Sequence, residues 1–134
     1  MKSLRYRYTV LKHQWGVLVD LHASVCSSVC GEWRKVQEVV YLSDSLSWMD
    51  ENYIHYIVKG LSIVDGDIKK FLGKDAFIYI EEIDFNECDF QPEGLSCAMA
   101  GWIREYLGLP LKEVNVDFDK QSRRYRFSIN GVDL

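Results

Sequence analysis

The segment QPEGLSCAMAGWIREYLGLP, Gln91 to Pro110, carries the clearest helix signal in the chain. Pro92 suits the first helical position, where a missing N–H costs nothing, and Glu93 complements the positive end of the helix dipole. Gly108 can take the left-handed conformation beyond the last turn, and Pro110 blocks continuation. Between them Leu95, Ala98, Met99, Trp102, Ile103, Tyr106 and Leu107 recur at helical spacing, which predicts one buried face. Gly94, Cys97, Ala98, Gly101 and Gly108 form a partial stripe of small residues, which predicts close approach to a sheet or to a second helix.

The flanking segments read mostly as strands. Leu4, Tyr6, Tyr8 and Val10 alternate with Arg5, Arg7 and Thr9, and Val17 to Val25 alternate likewise, so a hairpin turning at His13–Gly16 is expected. A third strand spans Trp33 to Leu42 with less regular alternation. Ser47 with Asp50 resembles a capping box, and Met49, Tyr53, Tyr56, Ile57, Gly60, Leu61 and Val64 predict a helix near 48–63. Asp65-Gly66-Asp67 breaks it, and Ile68, Phe71 and Leu72 allow a short second helix. Ala76–Ile80 is a continuous apolar run, as in a strand covered on both faces. Ile78 and Ile80 are in one phase and Ile83 and Phe85 in the other, so a bulge near Glu81-Glu82 would reconcile them. Residues 114–118 and 125–129 make a closing hairpin, with Glu113 and Asp117 set against Arg124 and Arg126. The order β-β-β-α-β-α-β-β predicts a single two-layer α+β domain, 1–134, with a mostly antiparallel sheet and two main helices on one face.

At 134 residues the chain is long enough to bury a core without staples. No apolar run is long enough to span a bilayer, and the first residues lead into a strand pattern, so a cytosolic protein with reduced thiols is expected. A net charge of −4 argues against general nucleic-acid affinity. That charge is concentrated. Residues 75–103 contain Asp75, Glu81, Glu82, Asp84, Glu87, Asp89 and Glu93 with no Lys or Arg.

Motifs for chemistry are sparse. Cys26 and Cys30 with His22 offer three ligands where a structural zinc site takes four, so no metal is expected. Glycine-rich phosphate loops are missing, so no cofactor is expected either. Cys97 lies too far into its helix for an activated thiolate and reads as a core residue. What remains is an acidic block and a surplus of aromatics. A focused negative field steers encounter with a cationic partner. The reading is therefore a protein-binding module of the immunity or antitoxin type that neutralises a basic toxin such as a nuclease. It would use Glu81, Glu82, Asp84, Glu87, Asp89 and Glu93, with Trp15, Trp33 or Trp48 as an exposed anchor and Trp102 in the core. Two other readings are a small enzyme or ligand-binding domain, with His22, His55, Cys97 and Asp84 around a pocket between helix and sheet, and a symmetric oligomer.

Overall fold

The computed structural model describes residues 2–11, 16–28, 33–37, 39–63, 76–85, 90–110, 114–129 and 131–134. Its strands are β1 (Lys2–Leu11), β2 (Gly16–Cys26), β3 (Arg34–Gln37), β4 (Val40–Leu42), β5 (Phe77–Asp84), β6 (Val114–Asp119), β7 (Arg124–Ile129) and β8 (Val132–Asp133). Its helices are α1 (Glu51–Ile63) and α2 (Glu93–Leu107), and a 3-10 turn at Asp44–Leu46 precedes α1. The class is α+β with mostly antiparallel pairing. The strands divide into two sheets, one of order β1-β2-β5-β4-β3 and one of order β6-β7-β8. The exception to antiparallel pairing is β4 beside β5, whose connection runs through α1.

α2 has the ends its sequence predicts. Pro92 is already helical, and the Gly94 and Leu95 N–H groups donate to Gln91 O (2.8 Å) and Pro92 O (2.9 Å). At the other end Gly108 sits at φ +70°, so its own N–H reaches Glu105 O (3.2 Å) and that of Leu109 reaches Arg104 O (2.8 Å). Burial goes beyond the predicted single face, because every residue from Glu93 to Ile103 is buried. The small residues permit this. Gly94 lies against Val17 and Val19 of β2, Gly101 under the Tyr6 ring of β1, and Ser96 against Gly60 of α1. The Trp102 indole N–H, fully buried, donates to Leu4 O at 2.8 Å and so ties the helix to β1.

Around α2 the core gathers Val19, Leu21 and Ala23 from β2, Val40 and Leu42 from β4, Ile78 and Ile80 from β5 and Ile57 and Leu61 from α1. Full burial of each larger aliphatic chain contributes about 1.5–3 kcal/mol. The bulge between the two phases of β5 is present. Ala23 pairs with Ile80 and His22 with Glu82, leaving Glu81 as the extra residue, and Ile83 returns to the core face. The outer face of β5 is half covered rather than buried, with Trp33 stacked on Tyr79 at 3.9 Å.

Two boundaries differ from the sequence reading. The third strand is two, β3 and β4, folded on each other with a register shift between Lys35 and Gln37, which is why alternation failed there. α1 begins at Glu51, not near 48. Asp50 accepts the Tyr53 N–H at 3.0 Å and takes the capping role, while Ser43 caps the 3-10 turn by accepting from Ser45 N–H. In the last hairpin Asp117 faces Arg126 as expected, whereas Arg124 faces Asp119 rather than Glu113, because the register pairs Val114 with Ile129. Gln121 N–H donates to Asp119, which holds that carboxyl below the usual carboxylate range. The turn around residues 12–15, Asp65-Gly66-Asp67, the helix near 68–72 and Glu113 lie outside the described residues.

Candidate functional site

The described members of the acidic block, Glu81, Glu82, Asp84 and Glu93, do not share one environment. On β5 the bulge splits its acids between two environments. Glu81 turns onto the outer face of the sheet, where Ser24 Oγ donates to Oε1 at 3.0 Å and His22 Nδ1 lies 3.0 Å from Oε2. Glu82 accepts from Arg5 Nη2 at 2.9 Å. In register Arg5 sits opposite His22, and His22 opposite Glu82, so the arginine reaches over β2 to its partner on β5. The same guanidinium lies 3.5 Å from Asp20, and Arg7 donates to Asp20 at 3.2 Å. Asp20 is 8% exposed, so two exposed arginines balance one nearly buried carboxylate. The basic face of β1 and the acids of β5 largely cancel on one sheet surface.

Glu93 is withdrawn from any exposed surface. It is 7% exposed, 3.3 Å from Arg124 of β7, and hydrogen-bonded by Gln91 Nε2. Burial and the adjacent Glu93 carboxylate push the Tyr56 hydroxyl above its ordinary value. Gln91 does more than its position in the sequence announces. Its Oε1 accepts the Tyr125 N–H at 3.0 Å and its Nε2 donates to Tyr125 O at 2.6 Å, so one side chain satisfies both backbone groups of a buried strand residue. This amide docks the second sheet onto the start of α2.

Asp84, at the end of β5, is exposed. Next to it the chain builds an aromatic cluster. Phe85 stacks on Phe90 at 3.9 Å, and Tyr53 and Trp48 meet Phe85 edge-on at 6.4 and 5.9 Å. Trp48 is the outermost ring, 49% exposed. Asp44, Asp50 and Glu51, all exposed, lie within four residues of it in sequence. Glu51 pairs with Arg34 at 3.2 Å, whereas Asp44, Asp50 and Asp84 have no ion-pair partner among the described residues. Of the candidate anchors, Trp33 is spent on Tyr79 and Trp102 on the core, and Trp15 lies outside the described residues. Glu87 and Asp89 lie outside them as well, as do Cys30 and Cys88.

The polar groups expected around a pocket do not converge. Cys97 lines a cavity of about 100 Å³ between α2, β1 and the β6–β7 hairpin, together with Tyr6, Tyr8, Ala100, Gly101, Arg104, Val114 and Ile129. His22 is on the outer sheet face, His55 is exposed on α1, and Asp84 is at the far end of β5. Burial pushes the Cys97 thiol up to about 12 and the Tyr8 hydroxyl well above its ordinary value. Both groups therefore stay protonated at neutral pH, the opposite of an activated nucleophile. Among the described residues no three His, Cys, Asp or Glu side chains gather as a metal site, and no helix is long and apolar enough to cross a membrane.

Sequence reasoning missed Gln91, Asp20 and Asp44. Nothing in spacing separates a docking glutamine from a solvated one, and Asp44 draws notice only once Trp48, four residues on, is found exposed. Comparison of the chain with protein-family models, with curated proteins and with solved structures gives no match.

Proposed function

We propose that this chain is a cytoplasmic protein-binding module that neutralises a basic partner by covering it, as an immunity or antitoxin-type inhibitor covers a nuclease-like toxin. The observation that carries this reading is Trp48, half exposed at the end of an aromatic cluster, with Asp44 and Asp50 near it in sequence and Asp84 preceding Phe85 of that cluster, all three exposed and without an ion-pair partner among the described residues. Tryptophan is enriched among interface hot spots, and its ring face also attracts Lys and Arg. The surrounding carboxylates add steering and select against acidic partners. Relative to the sequence expectation, the contact surface moves from the middle of β5 to its end. Glu81, Glu82 and Glu93 already have partners within the fold.

The test is capture from lysate of the source cells with wild-type chain and with W48A and D44K/D84K variants. The reading requires that the captured protein be basic, that adding the chain suppress that protein's own activity, and that both variants lose capture. Retention of an equal yield by the two variants would remove this surface from the mechanism.

A further inference from the structure

We propose that Trp48 is an anchor set in place before the partner arrives, and that Ser45 and Arg34 are the residues that position it. The inference rests on the reading of Trp48 as the contact residue and adds what holds that ring.

Trp48 lies in the segment that joins β4 to α1, and connecting segments are ordinarily more mobile than the elements they join. This one is bonded on both sides of the tryptophan. On the approach, Ser43 N–H donates to Ile80 O at 3.0 Å, which carries the pairing of β4 with β5 one residue past Leu42. Ser45 Oγ lies 3.2 Å from Glu81 O and 3.1 Å from Ser43 Oγ. A carbonyl can only accept and a hydroxyl carries one hydrogen, so Ser45 donates to Glu81 O and accepts from Ser43. Glu81 is the bulge residue of β5, left out of the register with β2. The bulge therefore does more than restore the phase of Ile83. Its carbonyl is the acceptor that ties the Trp48 segment to the sheet.

Past the ring, Arg34 Nη1 donates to Met49 O at 3.3 Å while Nη2 of the same guanidinium holds Glu51 at 3.2 Å. Leu46 and Met49, two residues before Trp48 and one after, are both buried, and Met49 N–H donates to Leu46 O at 3.0 Å. The backbone that carries Trp48 is thus fixed by the core, by β5 and by β3, with Tyr53 and Phe85 flanking the ring. An anchor ordered in advance loses less freedom on association, so more of its contact energy appears as affinity.

The test starts with the free chain. The Trp48 indole N–H signal, identified by its loss in W48A, should relax as a rigid group in wild type. S45A and R34Q should each loosen it, and S45T, which keeps the hydroxyl, should not. The Trp102 indole, fixed in the core, should stay rigid in all of them. The basic protein that the wild-type chain captures should bind S45A and R34Q roughly threefold to tenfold more weakly, and S45T as it binds wild type. A Trp48 indole that is mobile in wild type, or as rigid in S45A and R34Q as in wild type, overturns the proposal. Loosening shared equally by Trp102 marks general destabilisation and overturns it too. Binding that is lost in W48A yet indifferent to a loosened indole removes the positioning role alone. Binding that survives W48A removes the contact surface itself, and the positioning role with it.

Discussion

Gly60 of α1 lies so close to Ser96 of α2 that a Cβ on Gly60 would stand 2.4 Å from the Ser96 carbonyl oxygen and 2.9 Å from its Cα. Both atoms are backbone, so neither can swing aside. The Ser96 hydroxyl completes the contact by donating to Tyr56 O. Helix-interior Gly→Ala ordinarily gains about 1 kcal/mol. Here overpacking reverses the sign, and G60A should lose about 1–3 kcal/mol in urea unfolding. A gain in stability would show that the helices part at little cost.

Gln91 holds Tyr125 by both of its backbone groups. In Q91A a buried N–H and a buried C=O lose their partner, at about 1–3 kcal/mol each. Q91E should be no better, because a carboxylate cannot donate to Tyr125 O and would face Glu93. Slowed-exchange amides make the check. Exchange of the Tyr125 amide should accelerate in Q91A more than exchange in β2.

Cys97 predicts a one-sided pH dependence. Its folded value is pushed above the unfolded one by burial, to about 12, so the folded state retains its proton where the unfolded chain releases it. The stability contribution is full below the unfolded thiol value. It is lost as pH rises towards 12, at up to about 1.4 kcal/mol per unit for one group. C97A should flatten part of that alkaline decline and leave the neutral region unchanged. Thiol reagents at pH 8 should modify Cys97 at the rate of unfolding. Rapid modification of native protein would contradict its burial.

Glu82 and Asp84 are two residues apart and differ in consequence. Arg5 already occupies Glu82, whereas Asp84 stands exposed beside the Trp48 cluster. Against the basic partner, W48A should cost about 2 kcal/mol or more of binding, roughly thirtyfold in Kd, with little change in melting temperature. D84N should weaken binding in a salt-dependent way, and E82Q by less than about twofold. Equal effects of D84N and E82Q would place the partner on the sheet face instead.

Several features could be read before any coordinates. α2 declares its ends through Pro92 and Gly108 and its close packing through Gly94 and Gly101. The bulge at Glu81 is written in the phase slip between Ile80 and Ile83, and the facing of Asp117 and Arg126 in the last hairpin in their opposed charges. Period and local stereochemistry produce these signals over a few residues. The split of Trp33–Leu42 into β3 and β4 escaped because two short strands with a tight connection leave too few positions for alternation to register.

The candidate site was less legible. Seven acids in residues 75–103 read as one field, since sequence counts charges and cannot count their partners. Arg5 comes 77 residues before Glu82, and Arg124 comes 31 after Glu93. Strand order and the docking of the second sheet bring those cations to them. The sequence by itself determined the α+β class, the central helix and most element types, because these follow from periodicity and capping within one segment. Which carboxylates remain unanswered, which tryptophan faces solvent and where a cavity opens were decided by tertiary structure, because each depends on what distant segments place across the gap.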